Sequence, residues 1–187
     1  MVFKCHCCGK EFKTEGGFKK HFCKYQQRFI TIEENNWYPL WIQFKRIFKM
    51  SMKKDTNKEY YEFTHFKFYN DLTAFFSWIK ISSIIDVNEY MDYLKRHRHP
   101  IKNWCNDLTY KAFIKEFIVS ELPAIAIDRS KKYLKDNNLD ITSITQNNLY
   151  FGILSGNISN KFLTHIGIDA RKILDAGQYN DVKDLLV

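Results

Sequence analysis

Four of the five cysteines, Cys5, Cys7, Cys8 and Cys23, crowd one end of the chain, and Cys105 stands apart from them. The spacing within that crowd is specific: Cys5-x-x-Cys8, then twelve residues, then His21, with Cys23 two positions further on. Two thiolates on a tight knuckle, followed by an imidazole from a helix, make a soft donor set, and the chemistry that such a set performs is metal binding. A disulfide framework would instead distribute its cysteines along the chain and would need an oxidising compartment. Cys5, Cys8, His21 and Cys23 are therefore the candidate ligands. His6 and Cys7 lie inside the knuckle, where the usual C-x2-C geometry leaves them as bystanders, with Cys7 a possible competitor. A cluster of reduced thiols without metal is the plain alternative, and it leaves the agreement between ligand spacing and hydrophobic spacing unexplained.

The whole run, Phe3-x-Cys5-x-x-Cys8-x-x-x-Phe12, then Phe18-x-x-His21, resembles the C2H2 zinc finger. The resemblance implies a ββα module over residues 1–28 folded around Zn2+. Gly9 follows the second thiolate, where a positive φ is often needed. Thr14 is a plausible N-cap, and Phe18 and His21, three apart, share one helix face, so that His21 reaches the metal while Phe12 and Phe18 fill a small core. So small a unit cannot bury enough surface alone; zinc supplies roughly 10–16 kcal/mol in such peptides, and without it the finger should unfold. The pattern departs from the family at the fourth ligand. No second histidine follows His21 at the usual spacing, and residues 24–27 read Lys-Tyr-Gln-Gln. Cys23 is the substitute, but residues two apart on an α-helix point about 200° from one another, so the helix must end near His21.

The formal net charge is +8, which suits a polyanionic partner because basic groups on phosphates release condensed counterions. Lysine-rich coding from an AT-rich genome is the competing explanation. Lys4, Lys10, Lys13, Lys19, Lys20, Lys24 and Arg28 face only Glu11 and Glu15 within residues 1–30. Lys13, Lys19, Lys20, Lys24 and Arg28 are the candidate nucleic-acid contacts of the finger. A second basic group, Lys95, Arg96 and Arg98 with His97 and His99, ends a later helix, where it could touch nucleic acid or simply complement a helix C-terminus. His97 and His99 have no acid or thiol at a ligating spacing. The stretch from Lys13 to Lys20 lacks the arginine, asparagine or glutamine that reads base edges best, and one finger covers about three base pairs, so sequence-specific readout is not expected.

Beyond residue 28 the chain reads as an all-α domain over 29–187, giving a mainly α protein. Hydrophobic residues make up 45% and aromatics 17%, which is ample for a packed core. Phe29 to Ile32 reads as a β-like patch and Glu33 to Asn36 as the start of a helix. Leu40, Trp41, Phe44, Ile47 and Phe48 then recur at helical spacing, with Trp41 in the core and Lys45, Arg46 and Lys49 on a basic outer surface. The aromatic stretch from Tyr60 to Ile79 should form the core's centre. Asp86-x-x-Glu89 predicts a capped helix through Leu94, Asp107 or Thr109 the cap of the next, and Pro123 the start of another. Gln146 to Leu154 should stop before Gly156, Ser159 should open a short helix, and Asp169 to Ala176 should close before Gly177. Cys105 beside Trp104 reads as a buried apolar residue.

No glycine-rich phosphate loop, G-x-S-x-G or H-E-x-x-H is present, so no enzyme activity is expected, with a metal-dependent nuclease as the remote alternative. The start of the chain lacks the apolar stretch of a signal peptide and no long apolar run follows, so a soluble, cytoplasmic protein without membrane contact is expected. Several stretches together are similar to an uncharacterised C2H2-type zinc-finger family of contractile-tailed bacteriophages. They are His21-Phe22-Cys23-Lys24, Lys67-Phe68-Tyr69-Asn70, Asn88 to Leu94, Trp104 with Tyr110, Arg129-Ser130 and Gly156-Asn157-Ile158-Ser159. That resemblance implies a phage protein acting in the cytoplasm of an infected bacterium and carries no catalytic residues. The expected function is a non-enzymatic accessory factor of phage DNA or RNA metabolism that binds nucleic acid, DNA first, with little sequence preference. The competing expectation is an adaptor docking on host or phage polymerase or replication proteins.

Overall fold

A computed structural model describes residues 2–82 and 84–186. The chain divides into two compact units, Met1–Ser77 and Trp78–Val187, so the N-terminal cysteine-rich segment shares its unit with the helices that follow it. The protein is mainly helical, with one small two-stranded sheet near the N-terminus.

In the first unit, strands β1 (Phe3–Lys4) and β2 (Glu11–Phe12) pair antiparallel, Phe3 opposite Phe12 and Lys4 opposite Glu11. Helix α1 (Glu15–Lys19) follows, then α2 (Lys24–Glu34), α3 (Tyr38–Ile47) and α4 (Thr56–His65), and α5 (Tyr69–Ile81) runs on from this unit into the second. The β-like patch Phe29 to Ile32 is helical. Its β-branched residues are outweighed by packing: Ile32 is completely buried, and Phe29 sets its ring 4.9 Å from that of Tyr60 on α4. Thr31 is accommodated by bonding its hydroxyl back to the Gln27 carbonyl at 3.0 Å. Glu33 and Glu34 therefore end a helix instead of beginning one, and Asn36 adopts the left-handed conformation usual just past a C-terminus (φ 50°).

Trp41 is fully buried, as its spacing predicts, and stacks on Phe63 with centroids 4.7 Å apart and planes 2° from parallel. Lys45 departs from the expected basic surface. It is completely buried beside Glu59, its Nζ lying 3.0 and 2.8 Å from the two carboxylate oxygens and 3.0 Å from Glu62 Oε2. The Trp41 indole N–H adds a second donor to Glu59 at 3.2 Å, and the Lys53 backbone N–H a third. Burial pushes Glu59 up, but these donors hold it below the usual carboxylate range; Lys45 is likewise pushed down by burial yet held above its ordinary value by Glu59 and Glu62. The aromatic stretch after residue 60 is only partly core: Phe63, Tyr69, Phe75 and Phe76 are buried, whereas Tyr61 and Phe68 are exposed.

In the second unit, α6 (Val87–Arg96) is capped by Asp86, whose carboxylate accepts from the N–H groups of Asn88 and Glu89. Helix α7 (Asp107–Ser120) is capped by Asn106 and not by Asp107 or Thr109. Helices α8 (Pro123–Asp136), α9 (Gln146–Leu154) and α10 (Asn160–His165) begin where Pro123, Gln146 and Ser159 predict, α9 being capped by the Thr145 hydroxyl. Gly156 ends α9 with φ +78°, and its missing side chain leaves room for Ile85, which is closest, and for Ile114, whose Cγ2 would lie 3.1 Å from a Cβ there. At the C-terminal end the expectation fails: α11 (Ala176–Val182) begins on Asp175, so Gly177 lies in a first helical turn. Cys105 is half-buried. Among the described residues no helix is long and apolar enough to cross a membrane.

Candidate metal centre

The knuckle is built by backbone first. Cys5 N–H donates to the Lys10 carbonyl at 2.9 Å and Gly9 N–H to the Cys5 carbonyl at 2.8 Å, a turn that Gly9 closes with φ +72°. Thr14 caps α1, its hydroxyl accepting from Gly17 N–H at 3.1 Å. The helix is short, as the ligand spacing requires: His21 already lies past its end, donating to the Phe18 carbonyl at 3.0 Å. Phe12 and Phe18 pack edge to face at 5.8 Å, Phe3 adds a third ring 6.2 Å from Phe18, and Phe12 lies 4.8 Å from the His21 ring, fixing the imidazole's tilt.

These contacts bring Cys5, Cys8, His21 and Cys23 together, with ligand atoms all within 4.8 Å of one another. Cys8 Sγ and His21 Nε2 are 3.3 Å apart. A tetrahedral ion with bonds of about 2.3 Å to sulfur and about 2.0 Å to nitrogen sets its donors roughly 3.5–3.8 Å apart, within reach of this cluster by small side-chain adjustments. The four residues form a site able to hold a metal ion. Cys23 reaches it because the chain unwinds after α1 and restarts: Cys23 is the N-cap of α2, in extended conformation at φ −96°. His6 is exposed and Cys7 lies outside the cluster of four.

The thiols differ electrostatically. Burial raises Cys5, but the backbone N–H groups of Cys8 and Cys7, with the thiols of Cys8 and Cys23, bring it down to about 6. Cys8 has the Lys10 N–H favouring its thiolate, yet desolvation and the neighbouring thiols leave it raised, and Cys7 is raised by burial and by the charges of Cys5 and Cys23. Crowded thiolates that repel one another around a shared centre are the donor chemistry that a divalent cation satisfies.

The basic residues are dispersed. Lys13, Lys20 and Lys24 are exposed on the finger and the start of α2, whereas exposed Lys19 pairs with Glu15 at 2.6 Å and Lys4 with Glu11 at 3.3 Å. Arg28 is engaged within its unit: it donates to the Thr64 carbonyl at 2.7 Å and lies over the Tyr69 ring at 4.1 Å. Lys95, Arg96 and Arg98 belong to the second unit. Arg96 pairs with Asp92 at 3.2 Å and Glu116 at 2.7 Å, His97 lies 3.0 Å from the same Glu116, and Arg98 turns left-handed (φ 54°) to close the helix. A feature not anticipated from the pattern is an exposed ring stack on α4, in which Tyr61 and His65, four residues apart, meet. Comparison with protein-family models, with curated proteins and with solved structures finds no match.

Proposed function

We propose that this chain is a non-enzymatic zinc-finger accessory factor that binds nucleic acid with little sequence preference, working in phage DNA or RNA metabolism in the cytoplasm of an infected bacterium. Three sulfurs and an imidazole nitrogen gathered within 4.8 Å of one another favour zinc over the harder, oxygen-seeking cations. The observation that carries the reading is the set of exposed lysines on this metal-folded scaffold. Lys10, Lys13, Lys20 and Lys24 have no acidic partner among the described residues, so their charge is free to meet phosphate. Low specificity follows from the helix: Thr14 is occupied as a cap and Gly16 and Gly17 carry no side chain to a base edge.

Binding of the zinc-loaded chain to short duplex and single strands at two salt concentrations tests this reading. Affinity should fall with salt at a slope of about −0.7 to −0.9 per phosphate contacted. No detectable affinity at low salt with zinc present rejects it. The second reading, an adaptor for polymerase or replication proteins, draws support from an apolar concavity of about 400 Å³ in the second unit. Ile81, Leu108 and Phe151 at its rim are exposed. Loss of a captured partner on Leu108→Glu, with nucleic-acid binding absent throughout, would favour that reading.

A further inference from the structure

The first unit carries a groove of about 620 Å³, within the ~300–1,000 Å³ range of ligand sites, bordered by Tyr61, His65, Lys53, Lys58 and Lys67 and by Glu62, whose carboxylate is already met by Lys45 at 3.0 Å. Tyr61 and His65 on the groove wall belong to a three-ring stack. His65 lies between Tyr25 and Tyr61, with centroids 3.8 and 3.9 Å away and planes within 10° and 19° of parallel. The stack is held in place, because His65 Nδ1 donates to the Tyr61 carbonyl at 2.8 Å. Tyr61, at its end, has one face against His65 and is still 56% exposed, so its other face is open. Lys58 and Lys67 have no acidic partner among the described residues, while Lys53 reaches Glu62 at 3.8 Å. Lys24, at the far end of the stack, lies over the Tyr25 ring at 5.0 Å.

We propose that this groove binds single-stranded nucleic acid, with an unpaired base stacked on the open face of Tyr61 and the flanking phosphates met by Lys58 and Lys67. The inference rests on the reading of the chain as a nucleic-acid binder and moves the principal contact from the finger to α4. The occupant follows from the chemistry. A flat open π-face flanked by ammonium groups matches a base beside its phosphates, and in a duplex both faces of an internal base are already covered by its neighbours. Stacking is blind to base identity, which fits a finger unable to read sequence. Tyr61 also borders the cavity beside the metal knuckle, together with His6 and Cys7, so a strand leaving the groove on that side meets the finger.

The test is fluorescence anisotropy of the full, zinc-loaded chain with labelled oligothymidylate, oligouridylate, an abasic strand of equal length, and a duplex. Single strands should bind more tightly than the duplex, with the uridylate arm showing whether RNA is accepted. Tyr61→Ala should weaken single-strand binding about tenfold, Tyr61→Phe should leave it nearly unchanged, and the abasic strand should bind weakly and ignore Tyr61→Ala. Lys58→Glu with Lys67→Glu should weaken all strands. If Tyr61→Ala binds like the parent while Lys13→Glu with Lys20→Glu abolishes binding, the groove proposal falls and the finger remains the nucleic-acid site. Polyglutamate competing as well as an oligonucleotide overturns it in favour of an acidic peptide. No affinity for any strand overturns both readings.

Discussion

Lys45→Met should be among the most damaging single substitutions in the first unit, and its pH signature should be distinctive. The substitution keeps the apolar stem and removes the ammonium, leaving Glu59, 1% exposed, without the cation that its two oxygens share. Breaking a buried pair by removing one partner costs about 3–5 kcal/mol. For a unit of this size about 4–8 °C is lost per kcal/mol, so its melting temperature should fall by more than about 10 °C. In the parent, Glu59 is held below its ordinary value of 4.5, so its contribution is present above that value and lost as pH falls through the lowered one. Lys45 is held above 10.5, so its contribution is present below that value and lost as pH rises through the raised one. In Lys45→Met the carboxyl is buried without its cation and rises, so mild acidification should stabilise the variant under conditions that leave the parent unchanged or weaker. The assay is amide exchange of α3 and α4 against pH, with Glu59→Gln and the double variant closing a cycle whose coupling should exceed about 1 kcal/mol. A loss below about 1 kcal/mol with an unchanged pH profile would refute the electrostatic account of this cluster.

Cys23→Ser should weaken metal binding sharply while Cys7→Ser leaves it near the parent's value, as read by competition with a chromogenic chelator; equal effects would mean that Cys7 is a ligand. Stripping the metal should abolish amide protection in β1, β2 and α1 while α6 to α10 of the second unit keep theirs. Gly156→Ala should destabilise the second unit by about 1–3 kcal/mol in thermal unfolding, since it forces a side chain into left-handed backbone and against Ile85 and Ile114. Asp86→Ala should cost about 1 kcal/mol, because the carboxylate accepts two N–H groups at the start of α6.

The candidate metal cluster was legible because coordination constrains sequence locally: Cys5, Cys8 and His21 sit at spacings that few other demands produce, the fold brings them together with Cys23, and even the short helix follows from where Cys23 must lie. Helix starts were legible for the same reason, since Thr14, Asp86 and Ser159 act on amides two or three residues away. What stayed hidden was tertiary. Phe29 to Ile32 has strand-like residues and becomes helix because α4 supplies a surface for it. Lys45 looks like any lysine on an amphipathic helix until Glu59, fourteen residues on, is folded against it. Tyr61 reads as core within an aromatic run, and only the packing of Phe63 inward turns it outward.

Cys23 both completes the cluster and begins α2, the helix whose Ile32 is sealed in the first unit and whose Phe29 meets α4. Metal affinity and the seating of α2 are then linked by one shared coupling free energy, which acts equally in both directions. Substitutions that loosen α2 should hasten loss of the ion, although they lie far from any sulfur. A graft of the N-terminal segment onto a foreign carrier would leave behind the helix that steadies Cys23, so the metal-binding cluster should not survive transplantation as a self-contained cassette.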